Sequence, residues 1–339
     1  MIGIGVIGYG YWGPNLVRNF TATPGAHVVT ACDVREERLA LARKQYGVGT
    51  TTDHREVIAD SRVDCVVIAT PVSTHFDLAM QAMQAGKHVL IEKPMALNVE
   101  QAMRLVEEAE RRALVLMVDH TFIYTGAVRK IKELLSSGEM GQVYYYDSAR
   151  VNLGLFQDDV DVIWDLATHD LAIMDYVLSI PPEAISATGV AHVPGHPEDV
   201  AYISIFFPDN VIAHLHVNWL APVKLRRALI GCSKKMIVYD DLEPSEKIRV
   251  YDKGIWVNQD NRVHELRVGY RSGDVWLPKL DGTEALAVEA RHLIDCIENG
   301  SHPLTDGLAG LRVVRLLAAA TQSMRARGQI IELNQGAEL

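Results

Sequence analysis

The stretch VIGYGYWGPN, residues 6–15, decides the fold of the first part of the chain. It places Gly8, Gly10 and Gly13 after an apolar strand-like run, and Pro14 suits the first turn of a following helix. In such a turn the first glycine permits the tight bend, the second lets a diphosphate approach the backbone, and the third lets the helix pack on the strand. The spacing predicts a dinucleotide-binding turn with phosphates at the helix N-terminus, the alternative being a glycine-rich turn without a ligand.

The first 120 residues alternate between strand-like and helix-like segments. The strand-like runs are continuous and rich in β-branched residues, which is typical of parallel strands buried on both faces. They cover 2–8, 27–33, 63–70, 88–93 and 114–119, and helical patterns cover 13–21, 35–46, 54–60, 74–85 and 98–112. This order predicts an α/β Rossmann domain, with a doubly wound parallel sheet, over residues 1–122.

The pattern changes after residue 122. A helix at 125–137 precedes strand-like segments at 142–152, 184–193, 199–207, 211–220, 225–232 and 235–240, and helices at 284–298 and 306–326 close the chain. Alternation of apolar and polar residues in these strands indicates a sheet with one covered face. We expect an α+β domain over 123–339 with an open-faced, mainly antiparallel sheet, whose final helices can pack back on the first domain. The charged stretch 240–254 is interpreted as exposed strands and turns.

Charge and composition restrict the class of partner. The formal net charge of −10 argues against general affinity for nucleic acid or an anionic membrane surface. Four widely separated cysteines form no paired motif and favour a reducing compartment. The N-terminal apolar run lacks a basic segment before it, and no apolar run has membrane-spanning length. These features predict a cytoplasmic protein with a small-molecule ligand, and neither a nucleic-acid nor a membrane partner.

The residues around the glycine turn favour one cofactor over another. Asp33 ends the second strand-like run, at the spacing where a carboxylate binds the adenosine ribose. Its charge would repel a 2′-phosphate, so NAD is favoured over NADP, although Arg35 and Arg38 could receive that phosphate. Tyr11 and Trp12, inside the turn, are assigned to the same cofactor site.

Two further motifs follow strand-like runs, at the sheet edge where ligands of such folds bind. Thr70 and Pro71 are predicted to line the ribose and nicotinamide, and His75 is either a ribose contact or a surface residue. Glu92 and Lys93, before a proline at position 94, are predicted to lie beside the nicotinamide. The alternative for this pair is a surface ion pair, and the sequence leaves the isomer of the peptide bond before the proline open.

The segment WDLATHDLAIMDYVL, residues 164–178, has apolar residues at helical spacing and an ionisable pair near its start. Asp165 and His169 are four residues apart and share one face of an α-helix. The pair can be an inert ion pair, half of a metal site, or catalytic. No metal is predicted, because the sequence supplies no motif that brings further ligands to the pair.

These motifs, taken together, resemble a known family. The resemblance rests on GYGYWG (8–13), ATP (69–71) with His75, EKP (92–94), HTFIYTGAVRKIKELLSSGEMGQV (120–143) and the Asp-x-x-x-His helix. In these motifs the chain is similar to the glucose–fructose oxidoreductase, inositol dehydrogenase and MocA (Gfo/Idh/MocA) family of NAD(P)-dependent sugar, inositol and nucleotide-sugar oxidoreductases. The resemblance implies a homodimer or homotetramer through the C-terminal sheet, and it implies that Lys93, Asp165 and His169 are catalytic.

The narrower match implies a substrate class. VNLGLFQDDVDVIWDLATHD, residues 151–170, looks most like the branch that oxidises nucleotide-linked amino sugars, such as UDP-N-acetylglucosamine 3-dehydrogenases. Two features depart from the family pattern: Ile123 and Gly126 stand where many members have arginine and proline, and no glycines precede the helix. An inositol or free-aldose dehydrogenase and a non-catalytic dinucleotide sensor are the alternatives. Candidate substrate contacts are His120, Tyr124, Arg150, Asn152, Arg226 and Arg227.

Overall fold

The computed structural model describes residues 1–154, 160–258 and 267–333. The chain divides into two compact units. The first contains residues 1–125 and 282–315, and the second contains residues 126–281 and 316–339. The two segments that make up each unit are therefore far apart in sequence, and residues 282–315 belong with the N-terminal part.

The first unit is built on a six-stranded parallel sheet. Its strands are β1 (Ile2–Ile7), β2 (Ala26–Cys32), β3 (Gly49–Thr51), β4 (Cys65–Ile68), β5 (His88–Glu92) and β6 (Leu116–Asp119). They lie in the order β3-β2-β1-β4-β5-β6, so the winding reverses between β1 and β4, where such folds bind ligands. The predicted doubly wound sheet is confirmed, and the short strand β3 was missing from the prediction.

Residues that favour a helix start lie at the beginning of two helices of this unit, the first and the fifth. They are α1 (Gly13–Ala22), α2 (Glu36–Tyr46), α3 (His54–Ala59), α4 (His75–Gln84) and α5 (Val99–Arg112). The Asn98 side chain accepts a hydrogen bond from the Gln101 amide at 2.9 Å and so caps α5. Pro14 occupies the first turn of α1, where its missing N–H leaves no intrahelical bond unmade.

The second unit is built on a nine-stranded sheet that is antiparallel except where β7 and β10 pair. Its helices are α6 (Gly126–Ser136) and α7 (Thr168–Leu178). The strands of this unit are β7 (Val143–Leu153), β8 (Ala184–Val190), β9 (Val200–Phe206), β10 (Ile212–Asn218), β11 (Leu220–Cys232), β12 (Met236–Asp240), β13 (Ile248–Tyr251), β14 (Gly254–Asn258), β15 (Arg267–Arg271), β16 (Val275–Trp276) and β17 (Ile331–Glu332). The sheet order is β16-β13-β12-β11-β7-β10-β9-β8-β17, and β14 pairs with β15 separately.

The two faces of this sheet differ in burial. Ile203, Leu215 and Val217 are fully buried, whereas Tyr202 is 45% exposed on the other face. The predicted open-faced, mainly antiparallel sheet is therefore confirmed. The prediction of exposed strands and turns at 240–254 is wrong in part, because Ile248 is buried where β13 pairs with β12.

Two helices follow in the chain, α8 (Ala285–Asn299) and α9 (Gly307–Arg325). Helix α8 belongs to the first unit, and α9 extends over residues of both. In the first unit, the Val118 amide of β6 donates to the Thr305 carbonyl at 2.8 Å. This bond ties the segment between α8 and α9 to the sheet of the N-terminal unit.

Candidate active site

The glycine turn between β1 and α1 has no room for side chains at two positions. Gly8 has a φ of +100°, and a Cβ there would lie 2.4 Å from the Ala69 carbonyl oxygen. A Cβ on Gly13 would lie 2.2 Å from the Gly8 carbonyl oxygen. A Cβ on Gly10 would meet the Arg38 guanidinium at 3.2 Å. The first and third glycines thus allow the turn and the close helix packing, which leaves the backbone at the N-terminus of α1 shaped for a diphosphate.

Asp33 is held at the end of β2 by the backbone on both sides. Its two carboxylate oxygens accept hydrogen bonds from the Tyr9 amide at 2.8 Å and from the Arg35 amide at 2.9 Å. The side chains of Arg35 and Arg38 each approach the carboxylate at 3.6 Å. The acid is thus fixed where a ribose would bind, and two cations lie beside it.

The aromatic residues of the turn differ in exposure. The Tyr11 side chain is 86% exposed and Trp12 is 37% exposed, and their rings meet edge to face. Their assignment to the cofactor site stays a prediction.

His75 joins the two loops that follow β4 and β5. It is buried, and its ring nitrogens lie 2.9 Å from the Thr70 carbonyl and 3.0 Å from the Pro94 carbonyl. A neutral ring can donate to only one of these oxygens. Burial lowers the pKa of His75, and the two carbonyls offset part of that effect. The surface alternative for His75 is wrong, and the imidazole holds the loop of Thr70 and Pro71 against the loop of Lys93.

Glu92 is buried at the end of β5, and Lys93 is partly exposed next to it. The bond between Lys93 and Pro94 is cis. Burial, and then the charge of Asp119, raise the pKa of Glu92 well above its usual value, although Lys93 opposes this. The surface ion pair considered for Glu92 and Lys93 is therefore wrong, because the carboxylate lies inside the unit.

His120 and Tyr124 are core residues of the first unit. Neither ring nitrogen of His120 has a hydrogen-bond partner among the described residues, and burial lowers its pKa to about 3, with Lys93 adding to the effect. The Tyr124 hydroxyl lies 3.0 Å from the Thr305 hydroxyl. Both side chains are at most 3% exposed, so a substrate contact from either would require a change in the surrounding structure.

Asp165 lies in a π-helix, Ile163–Ala167, that leads into α7. The predicted helix therefore exists, but its first turn is wider than the α-helical turn assumed for the pair. Asp161 begins this turn, because its carboxylate accepts from the amides of Ile163 and Trp164 at 2.9 and 3.0 Å. Both Asp165 and His169 are partly exposed. The Asp165 carboxylate accepts a hydrogen bond from the indole of Trp219 at 3.1 Å.

Arg150, on β7, forms an ion pair with Asp170 at 2.6 Å. Both side chains are at least nine-tenths buried, and Asp170 follows His169 directly. Arg150 thus anchors the start of α7 on the sheet, and the position of its pair inside the unit contradicts a direct role as an exposed substrate contact. Asn152, two residues further along β7, is partly exposed and stays a candidate.

Arg226 and Arg227 point to opposite faces of β11. Arg226 stands opposite Arg150 in the sheet register and lies 3.4 Å from Asp241, whereas Arg227 is exposed. Consecutive strand residues face opposite sides, so the two arginines do not share one face of the sheet, and a substrate contact from either stays a prediction.

The described residues contain neither a metal-site cluster nor a membrane-spanning helix. Within residues 1–154, 160–258 and 267–333, no set of three histidine, cysteine or carboxylate side chains has the arrangement of a metal site. In the same part of the chain, no helix combines the length and apolar character required to cross a membrane.

Comparison with known proteins identifies the family. Residues 2–120 match an oxidoreductase family with an NAD-binding Rossmann fold, and residues 128–238 match the GFO/IDH/MocA C-terminal domain. A UDP-N-acetylglucosamine 3-dehydrogenase of Acidithiobacillus ferrooxidans is 31% identical over 94% of this chain and 95% of its own length. The chain belongs to the GFO/IDH/MocA family. It is an NAD-dependent oxidoreductase, and the fixed Asp33 and the glycine turn fit that cofactor.

Other members of the GFO/IDH/MocA family share the fold and differ in substrate. The scyllo-inositol 2-dehydrogenase (NAD(+)) of Bacillus subtilis is 24% identical over 98% of this chain and 95% of that protein. The structure of UDP-N-acetylglucosamine 3-dehydrogenase GnnA from Acidithiobacillus ferrooxidans has a TM-score of 0.79 at 30% identity and covers 96% of this chain and 98% of that one. These relatives act on different substrates, so sequence identity alone does not determine the substrate of this chain.

Sequence reasoning missed contacts that support the predicted site residues from distant parts of the chain. Trp219 contacts Asp165, and Asp119 and Glu289 are close to Glu92. Asp119 could have been recognised, since it ends a parallel strand next to the one that ends in Glu92. Trp219 and Glu289 are separated from their partners by long stretches of chain, and no local spacing points to them.

Proposed function

We propose that the protein catalyses NAD-dependent oxidation of a secondary alcohol on a sugar ring. The substrate class is a nucleotide sugar such as UDP-N-acetylglucosamine or its uronic acid, oxidised at position 3. The observation that carries this proposal is the 31% identity to a UDP-N-acetylglucosamine 3-dehydrogenase, which extends over nearly all of both chains.

The proposed roles follow from the chemistry of alcohol oxidation. NAD, when bound, accepts the hydride. The hydroxyl proton must leave as well, and an imidazole suits this step because it titrates near neutral pH. We assign it to His169. Asp165 holds a substrate hydroxyl or supports the imidazole, and Lys93, while protonated, polarises the reacting oxygen and stabilises developing negative charge.

An inositol or free sugar is the second candidate substrate. The specific observation in its favour is that Arg226 and Arg227 face opposite sides of β11, so they do not form a joint site for a diphosphate. The 24% identity to an inositol dehydrogenase over 98% of the chain is consistent with this candidate.

The two candidates are separated by measuring the absorbance of reduced nicotinamide with each substrate class. UDP-N-acetylglucosamine, its uronic acid, inositols and aldoses are mixed with the purified protein and NAD, and single-turnover reduction is followed in case the cofactor is retained. We expect the nucleotide sugar to give the highest kcat/KM. Turnover of inositol alone would favour the second candidate. NAD binding without turnover of any of them would favour the non-catalytic sensor.

Variants of the assigned residues test the roles. Replacing His169 by asparagine or Lys93 by methionine should lower kcat by about 10²–10⁴-fold, the usual effect of losing a proton-transferring or charge-stabilising group. His302→Gln is the matched control, because His302 is exposed in a loop of the first unit. Equal activity of His169→Asn and the control would refute the role of His169.

We propose that the uncovered sheet face of the second unit is a contact between copies of the chain. Tyr202 stacks on His216 with ring centroids 4.5 Å apart, and Ile212 is 42% exposed on the same face. A charged residue at Tyr202 should lower the mass measured by light scattering. An unchanged mass would contradict this contact.

A further inference from the structure

Trp219 is the largest fully buried side chain in the described part of the protein. It stands between β10 and β11, and its indole Nε1–H donates to the Oδ2 atom of Asp165 at 3.1 Å. The two residues are 54 positions apart in sequence. A buried indole thus supplies a directed hydrogen bond to a carboxylate that is itself partly exposed.

We propose that Trp219 is a positioning residue, which fixes the direction of the Asp165 carboxylate for the reaction. The inference rests on the proposed function, since it assumes that Asp165 takes part in catalysis. An ionised carboxylate is a strong acceptor, and a hydrogen bond to a charged group contributes more than one between neutral groups.

Hydrogen bonds hold the backbone of Trp219 at both its amide and its carbonyl. Its amide donates to the Asp199 carbonyl at 2.9 Å, and its carbonyl accepts from the Gly154 amide at 2.9 Å. Asp199 is fully buried and accepts bonds from His192 and Val193. The backbone that carries the donor is therefore hydrogen-bonded to a buried part of the unit.

Gly154 allows the indole to occupy this place. A Cβ at position 154 would lie 2.4 Å from the Cδ1 atom of Trp219. The indole is packed directly against the backbone there, and a side chain at that position would push the ring away from Asp165. The contact with the Gly154 backbone and the hydrogen bond to Asp165 together restrict the orientation of the ring.

The π-helical turn gives a contact from another element a role in directing Asp165. A π-turn is wider and less regular than an α-turn, so helix geometry alone restricts the Asp165 side chain weakly. Asp161 fixes the start of the turn through the backbone amides of Ile163 and Trp164. The Trp219 indole binds the carboxylate itself, which is the group whose direction matters.

Trp164 offers a matched control. It lies one residue before Asp165 in the same π-turn, and its indole donates to the Thr321 hydroxyl at 2.9 Å. Trp164→Phe and Trp219→Phe each delete one indole donor and retain an aromatic ring. Only the second removes the donor to Asp165.

Steady-state kinetics of the two variants form the first arm of the test. We expect Trp219→Phe to lower kcat about tenfold or more, while the KM for NAD stays unchanged, because the loss corresponds to one charge-assisted hydrogen bond. Trp164→Phe should stay within about twofold of the unmodified protein. Equal kcat values for the two variants would overturn the proposal.

The second arm does not depend on activity or on the stability of Trp219→Phe. The indole N–H signals of tryptophan-labelled protein are recorded by NMR, and the Trp219 signal is assigned by its loss in Trp219→Phe or, if that variant does not fold, by elimination with variants of the other tryptophans. Asp165→Asn should shift the Trp219 signal and leave that of Trp164 in place. An unshifted Trp219 signal would overturn this inference alone. Absence of turnover with every substrate would instead overturn the proposed function, and with it the catalytic part of the inference.

Discussion

Glu289, Asp119 and Glu92 form a cluster of acids in the first unit. Replacing Glu289 by a neutral residue should make the protein more stable. Glu289, on α8, is 1% exposed, and its strongest interactions with other titratable groups are with two further acids, Asp119 and Glu92. Burial, then Asp119, and then Glu92 raise the pKa of Glu289 well above its usual value. The folded protein thus holds a proton at this site at a pH where the unfolded chain has released it.

The size of the effect follows from this proton. A group whose pKa is raised on folding stabilises the folded state at low pH, and that contribution is lost as the pH rises toward the folded-state value. For one proton, the free energy of unfolding falls by about 1.4 kcal/mol per pH unit in that window. Glu289→Gln keeps the shape of the side chain and removes the proton. Relative to the unmodified protein, the variant should therefore gain up to about 1.4 kcal/mol for each pH unit above the usual carboxyl pKa, until the raised pKa of Glu289 is reached.

Denaturant unfolding at a series of pH values above the usual carboxyl pKa, followed by far-ultraviolet circular dichroism, measures this gain. Glu298→Gln is the matched control, because Glu298 is exposed on the same helix and loses the same charge. The comparison between variants cancels the contributions of other groups that titrate in the same range to the free energy of unfolding. One of these groups is Asp161, because burial raises its pKa to about 6. Two results would contradict the reasoning about the buried proton on Glu289. One is that the two glutamine variants show the same pH dependence of stability. The other is that Glu289→Gln loses stability more steeply with pH than the unmodified protein.

Three further predictions concern the cofactor site and the support of α7. Gly13→Ala should abolish NADH binding in a fluorescence titration, since its Cβ would lie 2.2 Å from a backbone oxygen, whereas Gly282→Ala, which meets nothing within 4 Å, should bind normally. Asp33→Asn should raise kcat/KM for NADP relative to NAD, because Arg35 and Arg38 flank the site and the charge that repels the 2′-phosphate is gone. An unchanged ratio of the two kcat/KM values would contradict the proximity of these arginines to the 2′-position of the adenosine ribose. Arg150→Met should destabilise the protein by about 3–5 kcal/mol, as it leaves a buried carboxylate without its cation. Arg18→Met, in an exposed ion pair, should cost less than about 1 kcal/mol in the same unfolding assay, and similar losses would count against the buried pair.

The sequence predicts those parts of the fold that depend on interactions between residues close together in the chain. The glycine turn, the parallel strands and the capped helix after Asn98 each depend on residues close together in the chain, and the structure has them where the pattern places them. The alternation in β10 likewise predicted which side of the strand is buried, since Leu215 and Val217 are inside.

The candidate substrate arginines show how much of a site the sequence determines. The opposite directions of Arg226 and Arg227 follow from strand alternation alone, once both are assigned to one strand. Arg150 attracted a functional interpretation because it is charged and precedes the predicted catalytic helix. Its partner Asp170 is 20 positions away, so the buried pair depends on how β7 and α7 pack, which no local pattern contains.

The direction of the Asp165 carboxylate shows where local prediction stops for physical reasons. The spacing of Asp165 and His169 identified the residue types and a helix, but it assumed 3.6 residues per turn, and the turn that contains Asp165 is a π-turn. A change in turn width rotates a side chain by an amount that spacing cannot supply, so a contact from another element has to specify it. The Trp219 indole is such a contact, and it comes from a strand junction that no motif connects to the helix. If helix geometry alone directed Asp165, removing that indole would leave the reaction unchanged; the structure leads us to expect a loss.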